Sequence, residues 1–168
     1  MATRINFTGD EWRLLLQGAS MAGMAVTAAD PNGVWGTLEE AIAAANALDA
    51  GRLSGNELVA ELVIDLENPA GRADVEKMLE QSFSGLSSTV ALPQIKVHAI
   101  EVLRQVSELL DAKAPNDSLA VKDWLREIAR SAAEASREGG FLGFGGARIS
   151  DAERATLAEI DEALGRPT

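Results

Sequence analysis

The chain is 168 residues long, with 46% hydrophobic and 24% charged residues, enough apolar content for a core under a solvated surface and too much for a disordered chain. A net charge of −11 opposes both the phosphate backbone of nucleic acids and anionic membrane surfaces, so neither is expected as a partner. There is no cysteine, which excludes disulfides and thiolate chemistry and fits a cytoplasmic protein.

Aromatic residues make up only 4%, and Ala and Leu supply the apolar bulk, a composition that favours helix over strand. Four segments match S/T-x-x-E, in which a hydroxyl accepts from the third helical N–H and the Glu reaches back to the cap: Thr8–Glu11, Thr37–Glu40, Ser54–Glu57 and Ser150–Glu153. The first predicted helix runs from about Gly9 to Ala29 and stops before Pro31. Phe7 and Trp12 occupy the two positions of a hydrophobic staple at its start. Trp12, Leu15, Leu16, Ala19 and Val26 follow helical spacing, and Gly18, Ala19, Ala22, Gly23 and Ala25 offer a small-residue surface for close helix approach. Leu14 to Ala29 is uncharged but spans only about 24 Å as a helix, short of the roughly 30 Å hydrocarbon core. Asp10 and Glu11 stand where a signal peptide carries positive charge, so this segment is expected to be a core helix.

Asp30-Pro31-Asn32-Gly33 invites comparison with a calcium loop, but Val34, Trp35 and Ala41 occupy ligand or glycine positions of that motif, which leaves a turn. A second helix follows Thr37 and ends near Gly51. A third follows Ser54, with Leu58, Leu62 and Leu66 as its stripe. Asn68-Pro69 breaks it and caps a fourth, which carries Val75, Met78, Leu79, Phe83 and Leu86. A loop is expected near residues 84–91. The fifth helix spans about 92–112, with Ile95, Ala99, Val102, Val106 and Leu109 on one stripe. Val97, Ile100, Leu103 and Leu110 lie beside or opposite that stripe, which makes this helix central and buried. Pro115 ends it. The sixth begins at Asp117 or Ser118 and buries Val121, Leu125, Ile128, Ala132 and Ala135. Gly139-Gly140 stops it. The seventh runs from Asp151 to Leu164, with Gly165 and Pro167 beyond it. The only β-leaning run, Thr89 to Leu92, is short and abuts Pro93. The expected fold is all-α, a globular bundle of about seven helices with the one near residues 92–112 at its centre. Residues 1–168 are expected to form a single domain. The alternative of two halves about the loop near 84–91 leaves about 80 residues each, marginal for separate cores.

His98 is the only histidine, on the helix predicted to be most buried, and is a candidate pocket residue. One His and no Cys cannot make a zinc site of three or four such ligands. Gly139 to Gly146, Gly-Gly-Phe-Leu-Gly-Phe-Gly-Gly, lacks the Lys-Ser/Thr of a phosphate-binding loop and follows no strand. Glycines there allow a tight path, so that Phe141, Leu142 and Phe144 plug into the bundle. The other reading is an exposed apolar loop docking on a partner or a second subunit, with the same three residues as candidate contacts. The acid pairs Asp10-Glu11, Glu39-Glu40 and Asp161-Glu162 point about 100° apart on a helix and read as solvated faces or caps.

Lys122 to Ala129, Glu138 to Gly146 and Ile149 to Glu153, with Phe7 to Trp12 and Ala28 to Pro31, resemble a family of bacterial all-helical proteins with no assigned activity. That resemblance implies a bacterial, cytosolic, helical protein. A second likeness is to the tellurite-resistance TerB-like helical domain, in which Asp-Gly-x-Ile-x-x-x-Glu recurs at helix starts and acids gather metal. Gly146 to Glu153 keeps the Ile and the Glu but has Gly for the Asp, and Gly33 to Glu40 lacks both Asp and Ile.

The expected function is that of a non-catalytic interaction or binding module, with a protein partner or a homo-oligomer and no cofactor. The alternatives are an acid-site metal-binding stress protein, and a small-ligand binder or enzyme with a pocket between helices.

Overall fold

The computed structural model describes residues 1–29, 49–84, 88–138 and 149–165. Within them a 3-10 turn (Arg4–Asn6) precedes α1 (Gly9–Thr27), α2 (Glu57–Glu67), α3 (Pro69–Phe83), α4 (Ser88–Lys113), α5 (Pro115–Glu138) and α6 (Asp151–Ala163). The described residues hold no strand, as the composition and spacing predict. Of the helix expected after Thr37, only residues 49–52 fall among them, and they are helical. None of these helices is long and apolar enough to cross a membrane.

α1 packs against each of the other five helices, most extensively on α4 and α5. Its small residues make this possible. A Cβ on Gly18 would lie 2.9 Å from Val106 Cγ2 of α4, inside ordinary van der Waals contact, and one on Gly23 would meet Ile128 of α5 at 3.8 Å. Met21, Ala22, Ala25 and Val26 have no exposed surface. α4 buries Ile95, Ala99, Val102, Leu103, Val106 and Leu110. Its other side is open: Val97 is 66% exposed, and Glu101, Arg104, Gln105 and Glu108 face solvent. The centre of the bundle is therefore shared by α1 and the inner face of α4, rather than held by α4 alone.

Two of the predicted capping boxes form as written. Glu11 N–H donates to Thr8 Oγ1 and Thr8 N–H to Glu11 Oε2 at the start of α1. Ser150 and Glu153 do the same at α6. The Thr37 box lies outside the described residues. Ser54 is not the cap of α2. Gly55 turns the chain at φ +70°, and Asn56 becomes the N-cap, accepting from Val59 N–H at 3.1 Å. Two boundaries also move. α4 begins at Ser88, so Pro93 lies inside it rather than near its start. α5 begins at Pro115, where the missing N–H costs nothing, and the Ala114 carbonyl accepts from Asp117 and Ser118 N–H at 2.9 and 2.8 Å. α6 closes at Gly165, whose φ of +80° is the left-handed turn that a glycine adopts without strain.

Candidate functional site

Phe141, Leu142 and Phe144, with the rest of Gly139 to Gly146, lie outside the described residues. His98 is half-buried on α4 beside an open recess of about 430 Å³. The described residues that line that recess, Pro93, Gln94, Val97, His98 and Glu101, all belong to α4. Among the described residues no three His, Asp or Glu side chains gather where they could hold one metal ion.

The structure instead directs attention to α3, to which the sequence assigned no site. This helix is polar and loosely held: among the described residues Val75 is the only large side chain it fully buries, while Met78 and Leu79 are half-buried. Its direction is set by four residues. Asn68 caps α2 through its N–H, donated to the Ile64 and Asp65 carbonyls, and caps α3 through its side chain, which accepts from Ala70 N–H at 3.0 Å. Pro69 is the first residue of α3. Gly71 lets the turn close against α2, since a Cβ there would collide with the Asp65 carbonyl oxygen.

Laid on α1 in this way, α3 leaves a cleft on each side. One is an apolar slot of about 260 Å³ among Ala19 and Ser20 of α1, Leu66 of α2, Val75 of α3 and Ile128 of α5, bordered by the exposed Arg72 and Glu76. The other is a polar groove of about 520 Å³ between Asp10, Arg13 and Gln17 of α1 and Asp74, Lys77 and Gln81 of α3. Periodicity identifies Ala19, Leu66, Val75 and Ile128 as inward-facing but gives no sign that they leave a gap.

A third cleft, of about 330 Å³, lies where the end of α6 meets α5. It contains two buried cations, neither of them anticipated. Lys122 donates to both oxygens of Asp111 at 2.7 and 2.8 Å, and Ser118 Oγ–H donates to the same carboxylate at 2.6 Å. Arg126 donates to Asp161, Asp123 and the Leu164 carbonyl. The Lys122–Asp111–Ser118 contacts join α5 to α4, and Arg126 ties the end of α6 to α5.

The hydrogen bond from Lys122, and then that from Ser118, hold the Asp111 carboxyl below its ordinary value of 3.8. A group lowered by folding stabilises the fold fully above its unfolded value and loses that contribution as pH falls through the folded one. Asp111→Asn is therefore expected to lower the urea midpoint at neutral pH, and the gap from the parent should narrow as pH drops below 3.8. The Asp111 side chain is 61% exposed, so solvent screening keeps the effect small. A gap that widens in acid would contradict the assignment.

No family model, no curated protein and no solved structure matches the chain.

Proposed function

We propose that the protein is a non-catalytic, cytoplasmic binding module that receives an apolar anchor side chain of a protein partner in the slot beside α3. The observation that carries this is the slot itself, with apolar walls from four helices and two opposite charges at its border. Its volume of about 260 Å³ falls below the roughly 300–1,000 Å³ of small-molecule sites. It suits one aromatic or branched side chain, the kind of anchor on which protein interfaces concentrate their binding energy. The net charge of −11 favours a basic partner and opposes self-association, which would bring two such chains together. The lack of cysteine supports the cytoplasmic assignment.

Methyl-labelled protein titrated with N-acetyl-phenylalaninamide and N-acetyl-leucinamide tests this reading. Saturable shifts are expected at Leu66, Val75 and Ile128. Ser20→Phe, which fills the slot from its half-buried wall, should weaken them by at least about tenfold while the helical spectrum is kept. Shifts absent from these three residues, or unchanged in the folded Ser20→Phe protein, would refute it.

A further inference from the structure

We infer that the groove between α1 and α3 is a second, separate site, and that its ligand is a small zwitterion of the α-amino-acid class bearing an amide or hydroxyl group.

The first ground is Gln17. It is only 6% exposed and lines the groove, and its side chain makes no hydrogen bond among the described residues. Its amide oxygen and nitrogen both reach the solvent of the groove, where two donors and two acceptor lone pairs are open to a ligand. Gln17 lies on an otherwise apolar stretch of α1, between Leu16 and Gly18, where an aliphatic residue would satisfy packing alone. Its amide opens onto the groove, so a ligand held there would replace water as its partner.

The second ground is the charge on the walls. Asp10 and Arg13 of α1 and Asp74 and Lys77 of α3 sum to zero, in a chain whose net charge is −11. Arg13 is held by Asp10 and reaches Asp74 only at 3.9 Å. Asp74 and Lys77 stand one turn apart on α3, the spacing at which opposite charges readily pair, yet no ion pair joins them. Lys77 enters no ion pair among the described residues. A simple anion would satisfy Lys77 but face Asp74, and a simple cation would face Arg13 and Lys77. A zwitterion satisfies both, its carboxylate accepting from the Lys77 ammonium and its ammonium donating to Asp74, while an amide or hydroxyl reaches Gln17. At about 520 Å³ the groove is within the range of small-ligand sites.

The test titrates ¹⁵N-labelled full-length protein with L-glutamine, and in parallel with 4-carbamoylbutanoate, which keeps the carboxylate and amide but lacks the ammonium. The side-chain amide resonances of Gln17 should move saturably with glutamine. Gln17→Met, close in shape, and Lys77→Ala, at an exposed position, should each weaken binding by at least about tenfold. 4-Carbamoylbutanoate should bind more weakly than glutamine by a similar factor. The slot variant Ser20→Phe should titrate with glutamine as the parent does, which separates this site from the apolar one. Unmoved Gln17 resonances, variants that bind like the parent, or a 4-carbamoylbutanoate affinity equal to that of glutamine would each overturn the inference.

Discussion

Trp12→Ala is expected to destabilise the protein by about 3–5 kcal/mol, the usual cost of removing a large buried aromatic side chain. Trp12 is 2% exposed and joins three parts of the chain. Its ring packs on Phe7 at 6.0 Å between centroids, closing the staple before α1. The Arg4 guanidinium lies 5.6 Å over the same ring. The indole Nε1–H donates to Asp65 of α2 at 2.7 Å. Trp12→Phe keeps most of the apolar area and loses the hydrogen bond, while Asp65 retains Arg4 as a partner. It should cost about 1–2 kcal/mol. For a chain of this length the alanine variant corresponds to a fall of roughly 10 °C in melting temperature, followed by circular dichroism. Equal losses in the two variants would show that the indole hydrogen bond, and not burial, governs this corner.

Asp117→Ala is expected to cost about 2–4 kcal/mol, since hydrogen bonds to a buried charged acceptor are worth more than neutral ones. Asp117 is 2% exposed in the first turn of α5, where the helix dipole favours a negative charge. One carboxylate oxygen accepts from Ala2 N–H at 2.7 Å, and the other accepts from the Asn56 side-chain amide at 2.8 Å. Asn56 in turn caps α2, so a single side chain ties the N-terminal segment, the start of α2 and the start of α5. Asp117→Asn should recover only part of the loss, because its amide presents a donor where one of the two existing donors needs an acceptor. Urea unfolding of both variants checks this. A loss under about 0.5 kcal/mol for the alanine variant would place Asp117 among ordinary surface positions.

The fold was legible wherever local chemistry decides it. Trp12, Leu15, Leu16 and Val26 recur at helical spacing and are all buried, and Thr8, Ser150 and Asn68 cap as their neighbours indicate. Ser54 and Asn56 are both good cap residues. Only the backbone turn at Gly55 decides between them, and no spacing rule contains it. Pro115 serves the end of one helix and the first residue of the next, which a reading of proline as a stop signal cannot separate. The buried charges Asp117, Lys122 and Arg126 were illegible for a different reason. A charged residue on a helix ordinarily marks its wet side, and these are buried because partners elsewhere in the chain satisfy them: neutral donors on Ala2 and Asn56 for Asp117, and the carboxylates of Asp111 and Asp161 for Lys122 and Arg126. The clefts beside α3 are negative features, set by the tilt of one helix, and side-chain periodicity records what packs rather than what is left open. Gln17 illustrates this. In sequence it is one polar residue in an apolar run, and only the groove gives it meaning.

The arrangement around α1 has a consequence for how the molecule is made. This helix is synthesised well before its main supports, α4 and α5, which end at Lys113 and Glu138. Both later helices must be synthesised before the oily flanks of α1 can be covered, and the contacts that cover them join distant parts of the chain, a topology that slows folding. Nascent α1 is thus a natural client for chaperones, and its run of Gly and Ala, which presents little apolar bulk per turn, reduces its tendency to aggregate during that wait.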